Sequence, residues 1–152
     1  MSKEVHVICD NIRSLYNVGS IFRTADALGV AQVWLGGITG TPEQKGVKKV
    51  ALGAEETVAW EYVKQPWRAV EQLKRRGFKV VALELTKDSQ NVKVFKPKFP
   101  LVLIVGNEVA GVSPALLNRC DAIVHIPMKG MKESLNVSVA FGIAAYEIIN
   151  KQ

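Results

Sequence analysis

Leu101-Val102-Leu103-Ile104-Val105 runs directly into Gly106-Asn107-Glu108-Val109-Ala110-Gly111-Val112-Ser113. Five consecutive apolar residues ended by glycine read as a strand covered on both faces, because a half-exposed strand alternates apolar with polar. Working outward, Val5-His6-Val7-Ile8-Cys9, Gln32 to Leu35, Phe78 to Leu85 and Ile123 to Ile126 read as further strands. Helical spacing falls between them. Val18, Ile21, Phe22, Ala25 and Leu28 share one face, with Asn17 as expected N-cap and Gly29 as stop. Pro66 opens a helix with Ala69, Val70 and Leu73 on one face, closed by Lys74-Arg75-Arg76-Gly77. Pro114 to Arg119 is a short helix, and Ser134 to Asn150 the last, with Ser134 as expected cap. Thr41 to Gly53 is basic without a clear element, and Thr86 to Pro100 is a long polar connection. Strands alternating with helices predict an α/β fold: a parallel sheet with helices on both faces.

The 152 residues, 1–152, make one expected domain. With 48% hydrophobic and 22% charged residues, the composition excludes a disordered chain. The longest apolar runs are too short to span a bilayer, so no membrane partner is expected. Met1 to His6 lacks the apolar stretch of a secretory signal. Cys9 and Cys120 lie far apart in apolar surroundings, which predicts buried free thiols in a reducing cytoplasm. Two Cys and two isolated His, His6 and His125, supply no spaced ligand set, so no metal is expected. Twenty basic against fourteen acidic residues give +6. That balance suits a polyanionic partner such as nucleic acid, and equally a charge kept for solubility.

In parallel sheets ligands bind beyond the carboxyl ends of the strands. The loops in question are Asp10 to Asn17, Gly36 to Gly53, Leu85 to Ser89, Gly106 to Ser113 and Pro127 to Asn136. No GxGxxG, Walker loop or GxSxG elbow occurs in them. Three are chemically unusual. Asn17-Val18-Gly19-Ser20-Ile21-Phe22-Arg23 aims helix-start amides and a guanidinium at one spot, as an anion site does; a capped helix with a surface arginine has the same pattern. Gly106 and Gly111 let a ligand approach the backbone, with Glu108 between them; a plain glycine turn reads the same way. Ser134, Asn136 and Ser138 begin a helix that is apolar all round. Such a helix is covered from several directions, by a second subunit or by a deep core.

These stretches resemble a known family. Asn17-x-Gly19-x-x-x-Arg23-x-Ala25, Gly106-x-Glu108-x-x-Gly111, and Ile126-Pro127-Met128-x-Gly130 leading to Ser134-Leu135-Asn136-Val137-Ser138-Val139-Ala140 are similar to the three motifs of the SpoU (TrmH-like) branch of the SPOUT RNA methyltransferases. The resemblance implies a C-terminal segment threaded as a deep trefoil knot, against the general rarity of knots. It also implies S-adenosylmethionine as cofactor, a homodimer through the C-terminal helix, and methyl transfer to ribose 2′-hydroxyls of tRNA or rRNA. Carried over by position, Arg23, Asn17, Glu108, Ser134 and Asn136 are the active-centre residues. Leu83, Gly106, Ile126, Met128 and Leu135 form the cofactor pocket.

A guanidinium stays protonated, so Arg23 is expected to hold a phosphate and the developing oxyanion rather than act as free base. Arg13, Lys45, Lys48, Lys49, Lys93, Lys96 and Lys98 are candidates for the RNA surface. tRNA is the favoured substrate. The alternatives are rRNA, a knotted RNA-binding dimer without turnover, and a nucleotide-binding α/β regulator.

Overall fold

The computed structural model describes residues 3–152. Met1 and Ser2, the start of the segment read for a secretory signal, lie outside the described residues. The chain order is β1 (Val5–Asp10), α1 (Leu15–Leu28), β2 (Gln32–Gly36), α2 (Lys45–Ala51), α3 (Ala54–Thr57), β3 (Ala59–Val63), α4 (Pro66–Arg75), β4 (Lys79–Leu83), β5 (Gln90–Asn91), β6 (Leu101–Val105), α5 (Pro114–Leu117), β7 (Ala122–His125) and α6 (Val137–Ile149). The seven strands form one sheet in the order β3-β2-β1-β6-β4-β7-β5. Every pairing is parallel.

The continuously apolar strands sit at the centre, as both-face burial requires. All five residues of β6 are buried between β1 and β4. Val5, Val7 and Cys9 turn to one face, against Ile21 and Phe22 of α1 and Phe141 and Ile148 of α6. Ile8 turns to the other, against Val70 and Leu73 of α4 and Leu116 of α5. Each such side chain contributes roughly 1.5–3 kcal/mol by leaving water. Helices therefore cover both faces, as the sequence predicts.

Several expectations need correction. Ser14, not Asn17, caps α1: its hydroxyl accepts from Asn17 N, and Leu15 already packs on the core, so the helix begins before Asn17. Gly29 ends it in the left-handed region at φ 74°. The last helix begins at Val137, capped by Asn136 rather than Ser134, because the Asn136 carbonyl accepts from Ser138 N and Val139 N. The strand expected over Phe78 to Leu85 ends at Leu83, and the one over Ile123 to Ile126 runs from Ala122 to His125. The sequence pattern misses α2, a short helix inside the basic Thr41 to Gly53 stretch, the single-turn α3, and β3, an exposed edge strand carrying Glu61. The long connection contains β5, two residues paired to β7. Cys9 is buried, and burial pushes its thiol up to about 12. Cys120 is only half-buried; burial likewise pushes it up to about 12.

His6 is a satisfied core histidine, 2% exposed. The Trp34 indole N–H donates to Nδ1 at 3.1 Å, so the proton sits on Nε2, which meets Glu4 Oε2 at 2.8 Å. Burial lowers the pKa of His6 below 6.5, against the raising effect of Glu4. The neutral ring is the folded form, so its contribution is complete above the unfolded pKa and is lost as pH falls below it. Urea midpoints measured from about pH 7.5 to about pH 5 should fall through this window, and the His6→Gln variant should lose that part of the slope.

Candidate active site

A cavity of about 330 Å³ opens beyond the carboxyl ends of β4, β6 and β7. It is within the size range of small-molecule sites. All five residues assigned to the cofactor, Leu83, Gly106, Ile126, Met128 and Leu135, line it, and so do Glu108, Ser134 and Asn136.

The loop after β6 is a tight, internally bonded turn. Asn107 and Gly111 exchange backbone hydrogen bonds, N→O 3.1 Å and 2.9 Å. The Asn107 side-chain oxygen accepts from Val109 N and Ala110 N, both at 2.9 Å. Gly111 takes φ 74°, a conformation that suits glycine. At Gly106 a Cβ would stand 2.2 Å from the Gly111 carbonyl carbon and 2.3 Å from Val112 N. Backbone cannot yield as a flexible side chain does, so only glycine fits. Gly106→Ala is expected to cost several kcal/mol by displacing the cavity wall. A lowered melting temperature together with lost methyl-donor binding checks this; normal values for both contradict it.

Glu108 reaches across to the start of α1. Its carboxylate accepts from Arg13 N, Ser14 N and Asn17 Nδ2, each at 2.9 Å. Burial pulls its pKa up, but these donors outweigh burial and hold it below the ordinary value. A carboxylate also suits a helix N-terminus. This corrects one expectation: the anion beside the start of α1 is the protein's own Glu108, held by the amides of Arg13 and Ser14 just before the helix and by the Asn17 side chain. Asn17 Oδ1 accepts in turn from Asn136 Nδ2 at 3.1 Å. Asn136 Oδ1 accepts from Ser138 N at 2.9 Å and Ser138 Oγ at 2.6 Å. Glu108, Asn17 and Asn136 thus form a one-way relay that joins the β6 loop, α1 and α6.

Arg23 stands elsewhere. It lines a groove between α1 and α6 with Ser20, Thr24, Ile143 and Tyr146, and is not among the residues lining the cavity. Four residues of the site are not assigned to it by the sequence reading. Asp10 accepts from Ser113 N at 2.8 Å, Glu84 accepts from Val112 N at 2.9 Å, Asn107 closes the turn, and His125 lines the cavity. Ending β4 at Leu83 instead of Leu85 would have placed Glu84 in a strand-end loop. Among the described residues no group of three or more His, Cys, Asp or Glu is set to hold a metal ion, and no helix is long and apolar enough to cross a membrane.

A fully parallel sheet with a glycine-walled cavity at its strand ends defines a small-molecule-binding α/β domain. Residues 4–146 match the SpoU rRNA Methylase family, and the chain belongs to that family. It is 39% identical over 145 residues to the tRNA (guanosine(18)-2′-O)-methyltransferase of Aquifex aeolicus, covering 95% of this chain and 68% of that protein. It is 33% identical over 148 residues to the 23S rRNA (guanosine-2′-O-)-methyltransferase RlmB of Ralstonia nicotianae, covering 96% and 58%. The SpoU methyltransferase AviRb of Streptomyces viridochromogenes, solved in complex with AdoMet, matches with a TM-score of 0.90 at 28% identity, over 98% of this chain and 60% of that one. The chain therefore spans between 58% and 68% of these relatives' length.

Proposed function

We propose that this chain transfers a methyl group from S-adenosylmethionine to a ribose 2′-hydroxyl of RNA, with tRNA the favoured substrate and rRNA the alternative. One observation carries the reading: the five positions assigned to the methyl donor line a single cavity, with Ser134, Asn136 and Glu108 in the same wall. The family and the activities of the Aquifex and Ralstonia relatives support it. The cavity fits the donor in kind: apolar Leu83, Ile126, Met128 and Leu135 line it for a nucleoside base, and the polar groups of Glu84, Ser134 and Asn136 stand beside them.

When bound there, S-adenosylmethionine supplies the electrophile, a methyl group on a positively charged sulfur. Leu83, Ile126, Met128 and Leu135 hold it by apolar contact, and Gly106 by its backbone. Ser134 and Asn136, both exposed, are placed to orient the incoming ribose. Glu108 has its carboxylate committed to three internal donors, so it is a positioning residue that fixes Asn17.

Val139, Ile143 and Tyr146 form an exposed stripe on α6, 50%, 44% and 60% accessible. We take this stripe as the face of a homodimer. Arg23 lines the same groove, so Arg23 of the partner subunit serves each cavity, held against the phosphate and the developing oxyanion of the substrate. The proton leaves to phosphate or water. Lys45, Lys48 and Lys49 on α2, Arg13, and Lys93, Lys96 and Lys98 are exposed and form the RNA surface. The free thiols of Cys9 and Cys120 suit a cytoplasmic enzyme.

The trefoil knot belongs to this proposal. It is supported by the placement of β7 between β4 and β5, and by Lys151, whose ammonium donates to the carbonyls of Val92, Lys93 and Phe95 at 2.6, 2.8 and 2.6 Å. These bonds tie the segment after α6 to the connection preceding β6.

The test is transfer of radiolabelled methyl to purified tRNA and rRNA, followed by mapping of the modified ribose. Label in tRNA supports the favoured substrate, label in rRNA alone selects the alternative, and label in neither ends the reading.

A further inference from the structure

Glu84 is the first residue beyond β4, and its backbone N–H donates to Val124 O at 2.9 Å, which keeps the chain in line with β7. Its half-buried side chain lines the cavity. One carboxylate oxygen, Oε1, accepts from Val112 N at 2.9 Å. That oxygen lies only 2.0 Å from where a Cβ on Gly111 would stand, so the absence of a side chain at Gly111 is what admits the carboxylate.

The second oxygen, Oε2, has no hydrogen-bond partner among the described residues. Among the described residues no buried side-chain oxygen or nitrogen lacks a partner, so Oε2 is accessible rather than sealed in the core, on a residue that lines the cavity. No Lys, Arg or His pairs with Glu84 among the described residues. Glu108, the neighbouring carboxylate, differs: three internal donors occupy it. Glu84 thus presents a fixed, acceptor-only oxygen to whatever enters, immediately beside the apolar wall that begins at Leu83.

The rest of the apolar wall, Ile126, Met128 and Leu135, suits a flat base. The group adjoining a base in a nucleoside is its sugar, which carries two neighbouring hydroxyl donors. A carboxylate at a strand end that accepts from a ribose hydroxyl is a recurring solution in parallel sheets. We propose that Glu84 is a specificity-determining residue for the methyl donor: Oε1 anchors the Gly111–Val112 turn, and Oε2 accepts from the vicinal hydroxyls of the donor's ribose. This rests on the proposed function, because it takes the cavity as the donor site.

The experiment is calorimetric titration of the full chain, wild type and Glu84→Gln, with S-adenosylmethionine, S-adenosylhomocysteine and the 2′,3′-dideoxy analogue of the latter, with melting temperatures measured without ligand. Glutamine keeps an oxygen for Val112 N, so the melting temperature should hold. Affinity for S-adenosylhomocysteine should fall about tenfold or more, the scale of a charge-assisted hydrogen bond. The dideoxy analogue should bind both proteins equally.

Undiminished affinity of the variant for S-adenosylhomocysteine overturns the proposal. So does a loss that persists with the dideoxy analogue, or a loss confined to S-adenosylmethionine, which would assign Glu84 to the sulfonium charge. Should the variant fail to fold, the wild type alone decides: weaker binding of the dideoxy analogue supports the diol contact, and equal binding refutes it. Absence of heat with every ligand on the folded wild type refutes the proposed function itself, and the role of Glu84 with it.

Discussion

Arg23→Lys is expected to bind S-adenosylmethionine as the wild type does and to lose roughly 10²–10³-fold in turnover, the scale of removing one preorganised oxyanion donor. Binding survives because Arg23 lines the α1/α6 groove and is not part of the cavity wall. Turnover falls because lysine keeps the charge but not the planar fork that grips phosphate at two points. Calorimetry with the donor and single-turnover rates with RNA check the two halves. Full activity removes Arg23 from the chemistry. A second measurement tests where it acts. Co-expressed Arg23→Lys and Asn136→Ala subunits should regain activity that neither shows alone. If each guanidinium serves the other subunit's cavity, half of the dimers are mixed with one sound site each, about a quarter of wild-type sites. Failure of the mixture to recover activity would place Arg23 in its own subunit's site.

The other large effect is expected at Asn136. Asn136→Ala removes the α6 cap, a loss of about 1 kcal/mol by itself. It also strips Asn17 Oδ1 of its donor and separates α6 from the relay that ends on Glu108. The expected result is a lower melting temperature together with loss of both donor affinity and rate. Asn136→Asp separates these effects. An aspartate still caps Ser138 and Val139, but it cannot donate to Asn17. Reversing Asn17 does not help, because its oxygen would then face the Glu108 carboxylate. Asn136→Asp should therefore keep most of the stability and lose the site. Unchanged affinity and rate in Asn136→Asp would show that the relay is only structural.

The fold was legible where a physical signal was strong. Leu101–Val105 has no polar residue, and only a doubly covered strand satisfies that pattern. β3 was hidden because an edge strand with Glu61 and an exposed Tyr62 has the composition of a loop. In the site, the motif residues lining the cavity were legible through the resemblance of three motifs to the SpoU family, not through composition or periodicity. Asn17 was misread as a cap because Ser14, three residues earlier, makes the same kind of bond and gives the helix an earlier start. Asp10 and Glu84 were illegible for another reason. Each is a lone carboxylate that meets a backbone N–H from a distant loop, and no local pattern encodes that meeting. The position of Arg23 depends on which face of α1 meets α6, a tertiary fact that helical spacing alone does not fix.

β1 precedes β6, the middle strand of the sheet, by about ninety residues, and it is paired on both sides. Val5 pairs with Leu101 on one side and His6 with Gln32 on the other. At a translation rate of about 5–20 residues per second, the β6 side of β1 stays uncovered for roughly 5–20 seconds, the time needed to make the chain between Val5 and Leu101. During that interval β2 can dock, but an apolar strand edge remains open to neighbouring nascent chains. A holdase that shields Val5–Cys9 during that interval is therefore expected to raise the yield of folded protein.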